Sequence, residues 1–208
     1  MKDRPVKWIG VSVGLLLAAL VVFSRRTGTD KELPKFHQVN RQLFRGAQPK
    51  KNGFKRLADM GIKTIVNLRA DDDLARGEKC EVAAAGMRYF NVPLKETGRP
   101  ADAEIQRVLA IMNAPENQPV FVHCRLGVDR TGLIIAVYRI SHDGWTSKRA
   151  KAEAKRCGMH PWKRGMKAYI HDFYQRWQSS QTGNHIADNE VSTGSDSDRV
   201  EARSAEMS

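Results

Sequence analysis

Apolar residues form one unbroken run near the N-terminus and several short periodic runs further along the chain. Residues 8–23 (WIGVSVGLLLAALVVF) contain no charged side chain. As a helix this segment would extend roughly 24 Å, somewhat less than the roughly 30 Å of a bilayer core, and the flanking Lys7, Arg25 and Arg26 can reach the headgroups. We expect a single-pass membrane anchor within residues 1–26, with a cleaved signal peptide as the alternative. Basic residues flank both ends, so the side of the membrane is not assigned.

Strand-like and helix-like patterns alternate beyond a short linker at residues 27–35. Three runs rich in β-branched and apolar residues are predicted to be strands, at residues 62–69, 87–94 and 119–123. Helical periodicity is found at residues 51–60, 74–85, 101–112, 131–141, 147–157 and 165–178. The alternation predicts an α/β domain over residues 36–178, with a central, mostly parallel sheet of four to five strands flanked by helices.

Composition and charge limit the kinds of partner. Hydrophobic residues make up 41% of the 208-residue chain and charged residues 28%, which is typical of a globular protein. Residues 179–208 are rich in Ser, Asp, Gly and Asn, which predicts a disordered tail. The net charge is +12, but this tail holds six acidic residues and two arginines, so the rest of the chain carries +16. Such a basic body favours anionic partners, for example phosphate esters or acidic lipid surfaces.

The candidate chemistry lies where the last predicted strand gives way to an apolar helix. The sequence from His123 to Gly132 is HCRLGVDRTG. A tight loop between a strand and a helix directs successive backbone N–H groups into one concavity, and together with the helix N-terminus it binds a phosphate-sized anion. Arg130 can hold two phosphoryl oxygens, and the positive field stabilises a thiolate at Cys124. We expect this thiolate to attack phosphorus and form a phosphocysteine that water hydrolyses.

Seven consecutive residues are expected to bind the phosphate. They are Arg125, Leu126, Gly127, Val128, Asp129, Arg130 and Thr131. The hydroxyl of Thr131 can donate a hydrogen bond to the departing sulfur, and His123 is expected to order the loop rather than to transfer protons. Because the backbone nest and the arginine supply the charge stabilisation, we expect neither a metal ion nor another cofactor.

This loop resembles that of the cysteine-based protein tyrosine phosphatase superfamily, in its compact dual-specificity-like branch. The H-C-x5-R-[ST] pattern of the superfamily is matched at His123, Cys124, Arg130 and Thr131. The resemblance extends over residues 43–177 and includes the segments LFRGAQP and IVNLR. It implies a phosphatase of the protein tyrosine or dual-specificity type, and the apolar N-terminal run would tether it to a membrane.

Other functions remain as alternatives. An inositol phosphate, inositol polyphosphate or anionic phospholipid headgroup is the alternative to a phosphorylated protein as substrate, because the body is strongly basic. A phosphate-binding module without catalysis would use the same loop. Sulfur transfer is disfavoured by Arg130 and Thr131, and a nucleic acid is not expected as a partner because only basicity favours it.

The proton donor for the leaving group is less well defined by the sequence. The superfamily usually takes this acid from an aspartate on a separate loop, where the present chain has Glu96 as the best-placed carboxylate. Asp129 lies inside the cysteine loop, and some lipid-active members of the superfamily carry an aspartate there that in a few acts as the acid. We expect Asp129 to be the general acid, with Glu96 as the alternative. The structural role open to Asp129 is to accept hydrogen bonds from the N–H groups of the loop or from neighbouring arginines.

Overall fold

The runs predicted to be strands form the middle and one edge of a five-stranded sheet in the computed structural model, which describes residues 31–182. The strands are β1 (His37–Gln38), β2 (Leu43–Ala47), β3 (Thr64–Asn67), β4 (Arg88–Asn91) and β5 (Val120–Cys124). Their order is β1-β2-β5-β3-β4, and only the β1–β2 pair is antiparallel. The predicted α/β fold with a mostly parallel sheet is confirmed.

Helices cover both faces of this sheet. They are α1 (Gly53–Asp59), α2 (Asp73–Ala84), α3 (Asp102–Asn113), α4 (Asp129–Asp143), α5 (Ser147–Arg156) and α6 over residues 164–182. A short 3-10 turn, Pro115–Asn117, precedes β5. Each predicted helix is present, and α6 continues past residue 178, where the composition predicted the tail to begin.

Two apolar cores hold these layers together. On one face, Phe54, Leu57 and Val82 of α1 and α2 pack near Ile65 and Phe121 of the sheet. The other face is covered by α3 to α6, and α4 contributes the largest share of its buried residues, among them Leu133, Ile134, Ile135, Val137 and Ile140. The strand–helix pair β5–α4 is therefore enclosed by protein on both sides, which makes it a rigid support for the loop between them.

The strand that carries the cysteine lies at the centre of the sheet. All five residues of β5 are buried, and its last residue, Cys124, is level with Ala47 of β2. On the other side His123 is level with Asn67 of β3. The carboxyl ends of these three parallel strands thus meet at one edge, which is where ligands bind in open α/β sheets.

The predicted membrane anchor at residues 1–26 lies outside the described residues, as does the tail beyond residue 182. Within residues 31–182 no helix is both long and apolar enough to span a bilayer.

Candidate active site

A four-residue loop, residues 125–128, joins Cys124 at the end of β5 to Asp129 at the start of α4. Gly127 turns this loop with a φ of +68°, in the left-handed region that favours glycine. A Cβ atom at Gly127 would lie 2.5 Å from the backbone of Gly46 and Ala47 in β2. The loop is therefore pressed against the neighbouring strand, and no side chain fits at this position without a shift of the backbone.

Cys124 and Arg130 line one cavity of about 360 Å³. Both residues are buried, and the Arg130 side chain is held at two points. Its Nη1 donates a hydrogen bond to the backbone oxygen of Leu68 at 3.3 Å, and its Nη2 donates to Oε1 of Glu96 at 3.0 Å. The predicted nucleophile and the predicted phosphate-binding arginine are thus brought together, with the guanidinium anchored to the end of β3.

The other residues predicted to bind phosphate divide into two groups. Five of the seven line the cavity, namely Arg125, Leu126, Val128, Asp129 and Arg130. Gly127 and Thr131 are not part of this lining. Thr131 is fully buried, and its Oγ1 makes no hydrogen bond to any residue in the range 31–182. Its predicted donation to the sulfur therefore remains a prediction.

Asp129 is bonded to the loop between α5 and α6. Its Oδ1 accepts a hydrogen bond from the backbone N–H of His160 at 2.9 Å, and its Oδ2 lies 2.8 Å from Nδ1 of the same histidine. Lys163 Nζ lies 3.9 Å from Oδ2. This favoured general acid therefore lines the cavity, and its partners are His160 and Lys163 rather than the loop N–H groups or arginines expected from the sequence.

Glu96 reaches the cavity from the loop between β4 and α3. Its side chain is 70% exposed and is paired with Arg130. Its backbone oxygen accepts a hydrogen bond from Lys163, and a Cβ atom at Gly165 would lie 2.5 Å from Gly98 of the same loop. The Glu96 loop is therefore packed against the segment that begins α6.

Three cavity residues were not predicted from the sequence. His160, Trp162 and Lys163 all come from the segment between α5 and α6. The rings of His160 and Trp162 are stacked, with centroids 4.5 Å apart, and Trp162 is 67% exposed. No spacing connects these residues to Cys124 in the sequence, and the only signal was their position in a basic, aromatic segment.

A buried arginine supports the loop from behind. Arg45 of β2 donates from Nη2 to the backbone oxygen of Gly127 at 2.9 Å, while its Nε and Nη1 have no partner within residues 31–182. Burial lowers the pKa of its guanidinium, and the nearby Cys157, Glu153 and Cys124 counter this shift only in part. Arg45 thus adds positive charge beneath the loop at a desolvation cost.

His123, the residue before the cysteine, forms a buried pair with Glu78. Nε2 of His123 lies 2.8 Å from Oε1 of Glu78 in α2, and both side chains are almost fully enclosed. Oε2 of Glu78 accepts a hydrogen bond from Gln48, whose Oε1 accepts one from Arg69 at 2.8 Å. This chain of polar contacts holds His123 in place, while its Nδ1 has no hydrogen-bond partner within residues 31–182 and its predicted ordering of the loop stays a prediction.

Asp72, in the acidic run at residues 71–73 after β3, caps a helix. Oδ1 of Asp72 accepts a hydrogen bond from the backbone N–H of Ala75 at 2.9 Å and so caps α2.

Among residues 31–182 no group of three or more His, Cys, Asp or Glu side chains is arranged to hold a metal ion.

Comparison with known proteins assigns the family. A family model described as DSP-PTPase phosphatase fused to NAD+ kinase matches residues 16–171, and the chain belongs to this family. The protein is accordingly a cysteine-dependent phosphatase, and the resemblance to the dual-specificity-like branch is confirmed.

Individual relatives agree with this assignment. The dual specificity protein phosphatase TpbA of Pseudomonas aeruginosa strain UCBPP-PA14 is 28% identical over 172 residues, 76% of each protein. A crystal structure of a TpbA variant with phosphotyrosine has a TM-score of 0.58 at 27% identity and covers 69% of this chain and 90% of that one. The inositol diphosphatase DSP5 of Arabidopsis thaliana is 21% identical over 145 residues, 67% of this chain and 70% of that protein.

Proposed function

We propose that Cys124 attacks the phosphorus of a phosphate monoester and that the leaving group departs on the opposite side, which leaves a phosphocysteine for water to hydrolyse. The observation that carries this proposal is the cavity that Cys124 shares with Arg130 at the N-terminus of α4. The backbone N–H groups of that terminus and the planar guanidinium stabilise the charge that the equatorial phosphoryl oxygens gain in the transition state. Pairing of Arg130 with Glu96 keeps the guanidinium in position until a phosphate competes for it.

The test of this mechanism is the Cys124→Ser variant. Turnover of para-nitrophenyl phosphate should fall below detection, while a phosphorylated ligand still binds. Acid quenching of the wild type during turnover should give a phosphate adduct on the peptide that contains Cys124. Cys80→Ser is the matched control, because Cys80 is exposed on α2 and does not line the cavity. Full activity of Cys124→Ser would refute the covalent mechanism.

We propose that the substrate is a phosphorylated protein, as the name of the relative TpbA supports. The mouth of the cavity carries the exposed side chains of Leu126 and Trp162. These apolar surfaces suit the ring of a phosphotyrosine, since aromatic groups gain by stacking and burial. Comparing kcat/KM for phosphotyrosine and phosphoserine peptides, with Trp162→Ala beside the wild type, measures this preference. The variant should lose more with phosphotyrosine than with phosphoserine.

An inositol phosphate or lipid phosphate is the second candidate, because basic groups lie beside the cavity. Arg125 and Lys163 join Arg130 in the lining, and the relative DSP5 is named an inositol diphosphatase. A substrate with several phosphates would gain from these additional charges. Arg125→Gln should then lower kcat/KM for inositol polyphosphates and phosphoinositides more than for phosphopeptides. Equal loss on both would argue against the second candidate.

We further propose that residues 8–23 tether the phosphatase to a membrane. Support comes from the absence of charge in this run and from the basic residues on both sides. The full chain should remain in the membrane pellet after alkaline carbonate extraction. The double substitution Leu16→Asp and Leu17→Asp places charges in the middle of the run, where they oppose insertion, and should release the protein. Equal retention of both proteins would rule out this anchor.

A further inference from the structure

The side chain of His160 lines the same cavity as Cys124 and is fixed by three contacts to one carboxylate. Nδ1 lies 2.8 Å from Oδ2 and 3.1 Å from Oδ1 of Asp129, and the backbone N–H of His160 donates to Oδ1 at 2.9 Å. Because ring and backbone are both bonded to Asp129, the imidazole has little freedom to turn.

Two further neighbours fix the plane and the position of this ring. Trp162 stacks on it with a centroid distance of 4.5 Å and an interplanar angle of 29°. Asp129 directly precedes Arg130 in the first turn of α4, so the imidazole is tied to the same helix end as the phosphate-binding guanidinium. Its position relative to Arg130 is therefore fixed through Asp129.

The contacts decide which ring nitrogen can transfer a proton. An ionised carboxylate only accepts hydrogen bonds, so Nδ1 carries the proton in its contact with Asp129. Nε2 is left to face away from Asp129, and it makes no hydrogen bond to any residue in the part of the chain that the structure describes. A carboxylate that holds Nδ1–H and leaves Nε2 free is the arrangement that orients a histidine for acid–base catalysis.

Both carboxylates of the cavity already accept hydrogen bonds from neighbouring residues. Both oxygens of Asp129 are engaged by His160, and Oε1 of Glu96 accepts a hydrogen bond from Arg130. Each of these carboxylates thus serves as an acceptor for a neighbouring N–H group. The imidazole of His160, in contrast, has a nitrogen, Nε2, that makes no such contact within residues 31–182.

We infer that His160 is the catalytic proton carrier and that Asp129 is its positioning residue, an inference that rests on the phosphocysteine mechanism proposed above. In the first step the sulfur–phosphorus bond forms, the bond from phosphorus to the leaving oxygen breaks, and Nε2–H of the imidazolium protonates that oxygen. In the second step water attacks phosphorus, the sulfur–phosphorus bond breaks, and Nε2 takes the proton of the water. The thiolate, the imidazolium and inorganic phosphate result, so protons and charges balance.

The first experiment is a leaving-group series on the full chain with His160→Gln. General acid catalysis contributes about 100-fold or more, so kcat/KM for phenyl phosphate, which reports the first step, should fall by about that factor, and kcat/KM for dinitrophenyl phosphate much less. His142→Gln is the matched control. His142 also pairs with an aspartate, Asp143 at 2.7 Å, and stacks on Tyr138 at 4.6 Å, but it does not line the cavity. The control should show wild-type rates with every leaving group.

The second experiment distinguishes proton transfer from a purely structural role. In His160→Ala, added imidazole should restore turnover of phenyl phosphate, and in His160→Gln the phosphocysteine should accumulate with dinitrophenyl phosphate because the base of the second step is missing. Asp129→Asn should lose less kcat/KM than His160→Gln but show the same dependence on the leaving group, since it affects only the orientation of the ring.

Other outcomes of these experiments would contradict the role of His160 or the mechanism beneath it. An equal loss of kcat/KM with good and poor leaving groups in His160→Gln, without imidazole rescue of His160→Ala, would overturn the role of His160. A steep leaving-group dependence in Glu96→Gln alone would assign the acid to Glu96 instead. Failure of the underlying mechanism is visible separately, as the absence of any phosphate adduct on Cys124 in the wild type.

Discussion

Each end of α4 carries an aspartate that pairs with a histidine, but the surroundings of the two pairs differ. At the N-terminus Asp129 pairs with His160, and at the C-terminus Asp143 pairs with His142, with nitrogen–oxygen distances of 2.8 and 2.7 Å. The first pair lines the cavity beside Cys124. The second pair does not, so the same two side chains serve different purposes at the two ends.

The helix dipole explains the difference between the two aspartates. A carboxylate is favourable at a helix N-terminus and unfavourable at a C-terminus. Asp143 is compensated there by Arg139, which bonds it at 2.6 Å and also pairs with Glu153. Burial raises the pKa of Asp143, but hydrogen bonds from Arg139 and His142 outweigh this effect and hold the pKa below its usual range. Asp129 lies at the favourable end, where the helix dipole itself stabilises the carboxylate.

The largest expected effect is at the N-terminal end. Arg130→Lys removes the planar fork but keeps the charge, so turnover should fall by about 100-fold or more because two phosphoryl oxygens are no longer held together. The free energy of unfolding should change little by comparison. Arg139→Lys at the other end is the matched control and should keep its kcat on para-nitrophenyl phosphate. Near-normal turnover of Arg130→Lys would mean that this guanidinium does not bind the phosphoryl group.

The two ends also offer a pair of glycines for comparison. Gly127 and Gly144 have almost the same φ, +68° and +66°. A Cβ atom at Gly127 meets the backbone of β2 at 2.5 Å, whereas one at Gly144 meets nothing within 4 Å. Gly144→Ala should therefore cost about 1 kcal/mol of stability through backbone strain alone, and Gly127→Ala about 3 kcal/mol, as measured by urea unfolding.

Activity separates these two variants further. Gly127→Ala should also lose most of its turnover, because the loop that holds the phosphate must move away from β2. Gly144→Ala should keep it, since its turn lies at the opposite end of α4 from the cavity. Equal stability losses in the two variants would show that the loop yields to the added methyl group.

Arg139→Leu, at the C-terminal end of α4, should lower stability and leave activity unchanged. The substitution leaves Asp143 and Glu153 without their shared cation, and hydrogen bonds to charged groups are worth about 2 kcal/mol. The free energy of unfolding should fall by about that amount, while kcat and KM stay at wild-type values below the melting temperature. A change in KM would show that this end of the helix communicates with the cavity.

Residues close together in the sequence were predicted well, and residues that meet only in the fold were not. Cys124 and Arg130 lie in one loop, so their spacing alone indicated the phosphate site. His160 reaches Asp129 across 31 positions, Arg45 reaches Gly127 across 82, and Glu78 reaches His123 across 45. No local pattern encodes such contacts, which depend on how β2, α2 and the α5–α6 segment pack around β5.

Strand β2 was missed for a related reason. Its sequence, LFRGA, contains an arginine and a glycine in a buried strand, which breaks the expected apolar pattern. Both residues have tertiary reasons to be there. Arg45 supports the cysteine loop, and a Cβ atom at Gly46 would lie 2.7 Å from the ring of Phe121 in β5. The residues that disguise the strand are thus those that bring it close to the site.

The smallest expected effect is a pH dependence of stability that arises from Asp143. Its pKa is lower in the folded than in the unfolded chain, so the stabilisation is present above the unfolded value, which is about 3.9, and is lost as the pH falls through the folded value. The difference in unfolding free energy between the wild type and Asp143→Asn should therefore shrink as the pH falls from about 5 to about 2. Asp59→Asn removes an exposed pair with Lys55 and serves as the control. A constant difference across this range would mean that Arg139 and His142 do not compensate Asp143, and the contrast between the two helix ends would then lose its electrostatic basis.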